Sequence, residues 1–528
     1  MKKLIFLLLF YVVSFTGFGQ TEIDVLHTLK FNRVLHILKS SYVDSVNIEK
    51  SVEDAIIGML EKLDPHSVYL TKEEAKKANE PLEGSFEGIG IQFQIIRDTI
   101  YVISTISGGP SELVGVMAGD QIVSIDGKDF TGSKINNSVV METLRGKKGT
   151  KVVVGIYRYP LQEILDFEII RDVIPIYSLD ASFMVDSVTG YIKLNRFSRT
   201  TLDEFNDALA GLQKQNIKNL ILDLRNNSGG YLMSAVNLAD QFFESDKLIV
   251  YTKGLNAMEE RYKSSNKGGF KTGKLIILVD EGSASASEIV AGAVQDWDRG
   301  LIIGRRTFGK GLVQKPFTMS DGSLVRLTTA RYYTPTGRSI QKPYDDDKKK
   351  YIQELSSRLE KGELIEPDSI SFPDSLLFNT SAERVVYGGG GIMPDIFVPV
   401  DTASLAKYYT DVLRKNIVNM FISDYMRDNR KKLSGKFNSV AKFKKDFDNY
   451  DNNFMEAFFS YAEENGVEKQ EIDDVTYIYL HTILKSHIAR NIFDSSAFFQ
   501  VIMDVSDEVQ KAIEVIYKDE YFEKISYK

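Results

Sequence analysis

KLIILVDEGSASASEIVAGAV, residues 274–294, runs from an apolar stretch through a turn of small residues into a helix-forming segment. A strand that delivers a serine-rich turn to a helix start places hydroxyls beside unpaired backbone N–H groups, where an oxyanion can be stabilised. Ser283, Ser285 and Ser287 all fall in that turn, and each also suits a helix cap or a packing contact. The flanking alanines leave room for a peptide backbone to approach.

On either side the same alternation repeats. VTGYIKLNRF (188–197) reads as a strand, and TTLDEFNDALAGLQKQN (200–216) as a helix with Leu202, Phe205, Leu209 and Leu212 on one face. NLILDLRNNSGGYL (219–232) is an apolar strand entering a glycine turn, a helix follows around Met233 to Phe243, and GLIIGRRT (300–307) returns as a strand. Between about Asp172 and Thr334 this order predicts an α/β core with crossovers, whose ligand sites lie beyond the strand ends. TFGKGLVQ (307–314) follows, with Lys310 between two glycines. A lysine in an apolar setting loses its proton more readily and can serve as a general base.

Composition limits the alternatives. The 528 residues divide into three or four units on ordinary domain sizes. A hydrophobic share of 43% and a charged share of 26% are those of a globular chain, and the net charge of −8 offers no basic surplus for nucleic acid. There is no cysteine, which removes disulfides, thiolate catalysis and thiolate metal sites. The five histidines, His27, His36, His66, His481 and His487, all lie outside the α/β core, and no HExxH motif occurs; no metal or organic cofactor is called for. MKKLIFLLLFYVVSFTGFGQ (1–20) has the basic, apolar and small-residue order of a cleaved secretory signal, so the mature chain is expected to be exported, periplasmic or associated with the cell envelope.

Helical periodicity through Leu26, Leu29 and Val34, and again through Val52, Ile56, Met59, Leu60 and Leu63, marks 21–83 as a helical N-terminal region. In LDPHSVYLTKEEAKKA (63–78) Pro65 and His66 fall in a break, and a helix restarts with Thr71 as cap and Glu74 three residues on. From Gly84 to Arg171 the pattern changes to short strands, GIGIQFQII, TIYVISTI, DQIVSIDG and KVVVGIYR. GGPSELVGVMAGDQIVSIDGKDF (108–130), with a short helix at Ser111–Gly115 and a turn at Asp126-Gly127, resembles a PDZ domain. That resemblance implies that Gly88, Ile89, Gly90 and Ile91 present backbone N–H groups to a peptide's terminal carboxylate while the peptide adds a strand to the sheet edge.

Taken in order, LDPHSVYL, the PDZ-like module, DLRNNSGGYL, SASASEIVAGAVQD, GRRTFGKGLVQ and YYTPTGRSIQKPY resemble the carboxyl-terminal processing proteases, the tail-specific proteases of peptidase family S41. The resemblance implies a multidomain α/β protein: a ClpP/crotonase-like crossover-sheet core over 172–400, an inserted PDZ domain over 84–171, and helical N- and C-terminal regions. It implies a serine endopeptidase working through a Ser-Lys dyad. By motif, Ser285 matches the nucleophile, Lys310 the general base, Gln314 the residue that orients the lysine, and Gly230 and Ala286 the oxyanion-hole donors. Asp296 matches an acid proposed as a third charge-relay member, for which an ion-pair role at a helix end serves equally well. The partners implied are polypeptides, taken by their C-terminal tails; a non-catalytic PDZ scaffold is the competing reading.

DDDKKKYIQELSSRLEKGELIEPD (345–368) reads as the start of a charged, solvated insertion near 345–380. YGGGGIMPDIFVP (387–399) is similar to the family's closing strand, with Pro394 ending it. Beyond Asp401, Leu405, Tyr408, Val412, Leu413 and Ile417 predict one amphipathic helix. The region 401–528 continues as aromatic-rich helices able to form a homo-oligomer, dock an adaptor or cap the core.

Overall fold

A computed structural model describes residues 25–525 apart from 160, 345–347, 371, 402, 404 and 405. The secretory signal read at 1–20 and Leu405 lie outside the described residues. The chain divides into two compact units, one of residues up to Lys72 with Gln314–Thr328, the other of Glu73–Val313 with Thr329 onward.

In the first unit residues 25–41 and Ile48–Leu60 are helical, the latter begun by Asn47, whose side chain accepts the Lys50 N–H. Strand Val68–Leu70 pairs antiparallel with Leu324–Arg326. The break before it is organised by buried Asp64, which accepts the N–H groups of His66 and Ser67 and the hydroxyls of Ser67 and Thr328. A carboxylate two residues ahead of a turn N–H forms such a bridge readily. The Gln314 side chain donates to the His66 carbonyl.

The second unit carries two large sheets. The PDZ-like strands Ile91–Ile96, Thr99–Thr105, Gln121–Ile125, Lys151–Arg158 and Glu163–Ile170 form an antiparallel sheet in that order, with Ile91–Ile96 at one edge. Asp126 and Gly127 both take positive φ, as a two-residue turn of this type requires. Ile100, Val102, Ile122, Val152, Val154 and Ile156 alternate into a common core with Val140 and Leu144 of the helix Asn137–Leu144.

The larger sheet runs Leu179–Met184, Thr189–Leu194, Asn219–Asp223, Lys274–Val279, Leu301–Gly304, Ile396–Phe397. Its first pair is antiparallel and the rest are parallel. Central strands of such a sheet are covered on both faces and read as unbroken apolar runs, as Leu275 to Val279 does. Helices Thr201–Gln213, Leu232–Ala239 and Ala286–Asp296 pack on one face, and Asp507–Ile516 on the other. The multidomain α/β class holds. The closing strand begins after Pro394 rather than ending at it.

Two expectations are corrected. The helix read beyond Asp401 is two, Lys407–Arg414 and Ile417–Lys436, because Asn416 takes φ 57° and turns the chain between them. The charged run 348–360 is helical, and one of its faces is packed rather than solvated. Its Arg358 is 1% exposed and donates to the carbonyls of Arg306, Thr307 and Phe308, while Glu354 pairs with Lys342, Arg306 and Arg358. Opposite charges neutralise one another within the packed layer, so charge density along the sequence misstates exposure. Among the described residues, no helix is long and apolar enough to cross a membrane.

Candidate active site

Strand Lys274–Val279 ends at Asp280, and five residues later helix Ala286–Asp296 starts from Ser285. The outer serines of SASAS are occupied by the framework. Ser283 Oγ donates to the Leu224 carbonyl and Ser287 Oγ to the Asn227 carbonyl, both at 2.8 Å. Both residues are fully buried, whereas Ser285 between them is partly exposed and has φ 56°, ψ −110°. A non-glycine residue in that region is strained and persists only where its surroundings hold it.

What holds it is Glu288, fully buried one turn into the same helix. Its Oε2 accepts the N–H of Ser285 at 2.7 Å and of Lys310 at 2.9 Å, and its Oε1 accepts Gly309 N–H at 2.7 Å and Thr307 Oγ1 at 2.5 Å. Burial raises the Glu288 pKa, and the four donors act against that by favouring the carboxylate. The Tyr332 hydroxyl faces the same two residues, 2.6 Å from the Lys310 carbonyl and 3.1 Å from the Ser285 carbonyl. The two loops are thus fastened to one another through their backbones.

The glycine turn of DLRNNSGGYL meets this serine. A Cβ on Gly229 would lie 2.8 Å from Ser285 Cβ and 2.9 Å from Ala286 N; one on Gly230 would lie 2.0 Å from the Phe197 carbonyl oxygen. Asn227 fixes the turn, accepting Ala284 N–H on its carbonyl and Gly229 N–H on its side chain, both at 3.0 Å. Phe197 N–H donates to Gly229 O and Tyr231 N–H to Phe197 O, so the N–H of Gly230 points away from that pairing. Among the described residues, neither the Gly230 nor the Ala286 N–H is taken by an acceptor of the protein.

Behind the turn, Arg225 pairs with Asp223 and with Glu508 at 2.6 and 2.7 Å, and Glu508 also pairs with Arg305 at 2.6 Å. Asp223 is fully buried; against that desolvation, Arg225 and Lys193 hold its pKa well below the carboxylate range.

Asp296 is bonded away from the serine turn. It stands at the far end of the helix that Ala286 begins, about 15 Å away at ~1.5 Å per residue. Its carboxylate is taken by Arg338 at 2.6 Å and by the Thr336 N–H and hydroxyl at 2.9 and 2.8 Å. These contacts are those of the helix-end ion pair weighed beside the charge-relay role. Gln314 belongs to the other compact unit. In the PDZ-like module Ile89 O accepts the Ser111 N–H and hydroxyl, and Gly90, at φ 74°, accepts Ile106 N–H on its carbonyl.

The model of peptidase family S41 matches residues 188–348, and that of the PDZ domain residues 88–169. Residues 19–74 match the N-terminal domain of the activating protease CtpB, and 408–494 a family of unknown function. A carboxy-terminal-processing protease of Bartonella bacilliformis is 38% identical over 317 residues, which are 59% of this chain and 72% of that one. The chain belongs to the carboxy-terminal processing proteases. CtpA of Bacillus subtilis, another such relative, is 38% identical over 61% of this protease and 68% of its own length. Among solved structures, the photosystem II D1 C-terminal processing protease is 26% identical over 70% of this chain and 86% of that one, with a TM-score of 0.37.

Glu288, Tyr332 and Asn227 are the site residues that the sequence reading passed over. Glu288 had a signal: Ser285 and Glu288 have the S-x-x-E spacing of a capping box. Tyr332 and Asn227 had none.

Proposed function

We propose that this chain is an exported serine endopeptidase that takes substrates by their C-terminal tails through its PDZ domain and cuts them with a Ser285–Lys310 dyad. The observation that carries the reading is the shared anchoring of Ser285 and Lys310 on Glu288, next to a glycine turn with an outward N–H. In the proposed reaction neutral Lys310 accepts the Ser285 proton as Oγ adds to the scissile carbonyl. The N–H groups of Gly230 and Ala286 take the oxyanion, and Lys310 then protonates the departing amine. Water, deprotonated by the same lysine, hydrolyses the acyl-enzyme and returns the proton to Ser285.

Gly88, Ile89, Gly90 and Ile91 are proposed to hold the tail's terminal carboxylate, with the tail added beside the edge strand Ile91–Ile96. Export rests on the character of residues 1–20 and places the substrates among envelope proteins.

The test is cleavage of an unfolded protein with an apolar tail by wild type, Ser285→Ala and Lys310→Ala. Turnover by wild type alone is expected. Equal cleavage by all three overturns the dyad; tail binding without cleavage by any of them favours a PDZ scaffold.

A further inference from the structure

The PDZ edge strand does not face open solvent. Opposite Ile91–Gln94 stand two helices of the C-terminal region, Ile417–Lys436 and Asp474–Ile492, and the groove between encloses about 1150 Å³. Its helical wall is fixed to the PDZ module at three points. Arg490 donates to the Gln92 side chain at 2.8 Å, and Arg97 reaches the Tyr461 hydroxyl at 2.8 Å and Asp424 at 3.3 Å. The Arg427 guanidinium lies 5.2 Å from the Tyr159 ring centre.

The charges in this groove do not balance. Arg427 is answered by Asp424 and Asp428. The lining acids are engaged as well, Asp120 with Arg158 at 2.7 Å and Glu112 with the Gly108 N–H at 2.6 Å. Arg430 and Arg490 have no carboxylate partner among the described residues; Arg430 is held only by the carbonyls of Asn491, at 2.7 and 2.9 Å. Burial alone lowers the Arg430 pKa, which is the condition of a cation without a counter-ion.

We propose that the C-terminal helical region is the second wall of the tail-binding groove, and that Arg430 and Arg490 select tails carrying an aspartate or glutamate close to the terminal residue. The proposal rests on the PDZ reading above. A peptide whose carboxylate is held at Gly88–Ile91 and which runs antiparallel to Ile91–Ile96 passes Gln92 and Phe93 within about its last four residues, at ~3.4 Å each. Arg490 is bonded to Gln92, so an acidic side chain at that level meets the two guanidinium groups that no carboxylate of the described residues neutralises. The terminal carboxylate supplies the common part of recognition and the arginines the discrimination.

The experiment measures fluorescence anisotropy of labelled decapeptides binding full-length Ser285→Ala protein. The peptides are identical except for Glu, Gln or Lys at the third position from the end, each as free acid and as amide. The glutamate peptide should bind about 10-fold tighter than the glutamine one, the scale of a charge-assisted hydrogen bond. Arg490→Gln, and separately Arg430→Gln, should remove that preference while amidation still weakens every peptide. Arg490 is exposed at its bond to Gln92, so its variant keeps the test available if Arg430→Gln misfolds. Equal affinity for the three free-acid peptides, with amidation still harmful, overturns this inference and leaves the PDZ reading standing. Indifference to amidation, or no binding, overturns both.

Discussion

Ser285 and Lys310 donate their backbone N–H groups to the same oxygen, Glu288 Oε2, at 2.7 and 2.9 Å. The spacing of the two proposed catalytic backbones is therefore set by a third, fully buried side chain. Glu288→Gln keeps the volume but turns an amide N–H₂ towards one pair of the four donors. We expect turnover to fall about 10- to 100-fold, the scale of unpaired buried donors, with tail binding unchanged. Steady-state kinetics beside peptide anisotropy check this; an unaltered kcat would show that Glu288 only stabilises the fold.

The two glycines of the turn press against different segments of backbone. A methyl group at Gly229 meets the Ala284 carbonyl oxygen, Ser285 Cβ and Ala286 N, so Gly229→Ala should displace the serine turn, lower the melting temperature and lose at least ~10²-fold in turnover, the scale of a displaced oxyanion donor. At Gly230 the methyl meets the Phe197 carbonyl oxygen, backbone that cannot move aside. Gly230→Ala should lower the melting temperature as well as activity.

Arg358 ties the insertion helix to the carbonyls of residues 306–308, immediately before Lys310. Arg358→Met strands those carbonyls and removes one of the cations facing Glu354. A loss of about 3 kcal/mol in unfolding free energy is expected, read from urea denaturation. The kcat should fall while KM for a fixed substrate changes little.

Acid should loosen the helical wall through His487. Burial, and then Arg490 beside it, pull its pKa from 6.5 down to about 4. The folded state thus refuses a proton that the unfolded chain accepts. Its stabilising contribution is complete above about pH 6.5 and is lost as pH falls towards 4. Between pH 7.5 and 4.5 wild type should lose about 2 kcal/mol more than His487→Leu. Parallel urea titrations of the two proteins measure the difference, in which the other titrating groups cancel.

How much of this was legible in the sequence depends on range. The strand Lys274–Val279, the turn and the helix after it are local, and apolar periodicity with small residues displays them directly. Ser285 stands out because its neighbours at 283 and 287 are buried and bonded across to the loop at 224–227, yet the string SASAS does not say which serine is the partly exposed one. Glu288 was readable as a capping residue, but its bonds to Gly309 and Lys310 were not, since they span about twenty residues of unrelated chain. The run around Arg358 misled because charge pairing across layers leaves no mark in a linear pattern.

The ion network of Arg225, Glu508 and Arg305 has a bearing on when the protein becomes competent during its synthesis. Arg225 shares a loop with Asn227 and Gly229, yet its second carboxylate arrives from 283 positions downstream. A growing chain that has emerged only to the end of the helix Asp474–Ile492 already contains the serine, the lysine and the glycine turn, with the loop behind them still lacking its counter-ion. The loop behind the site therefore gains this second carboxylate only once the segment that begins at Ser506 has been made.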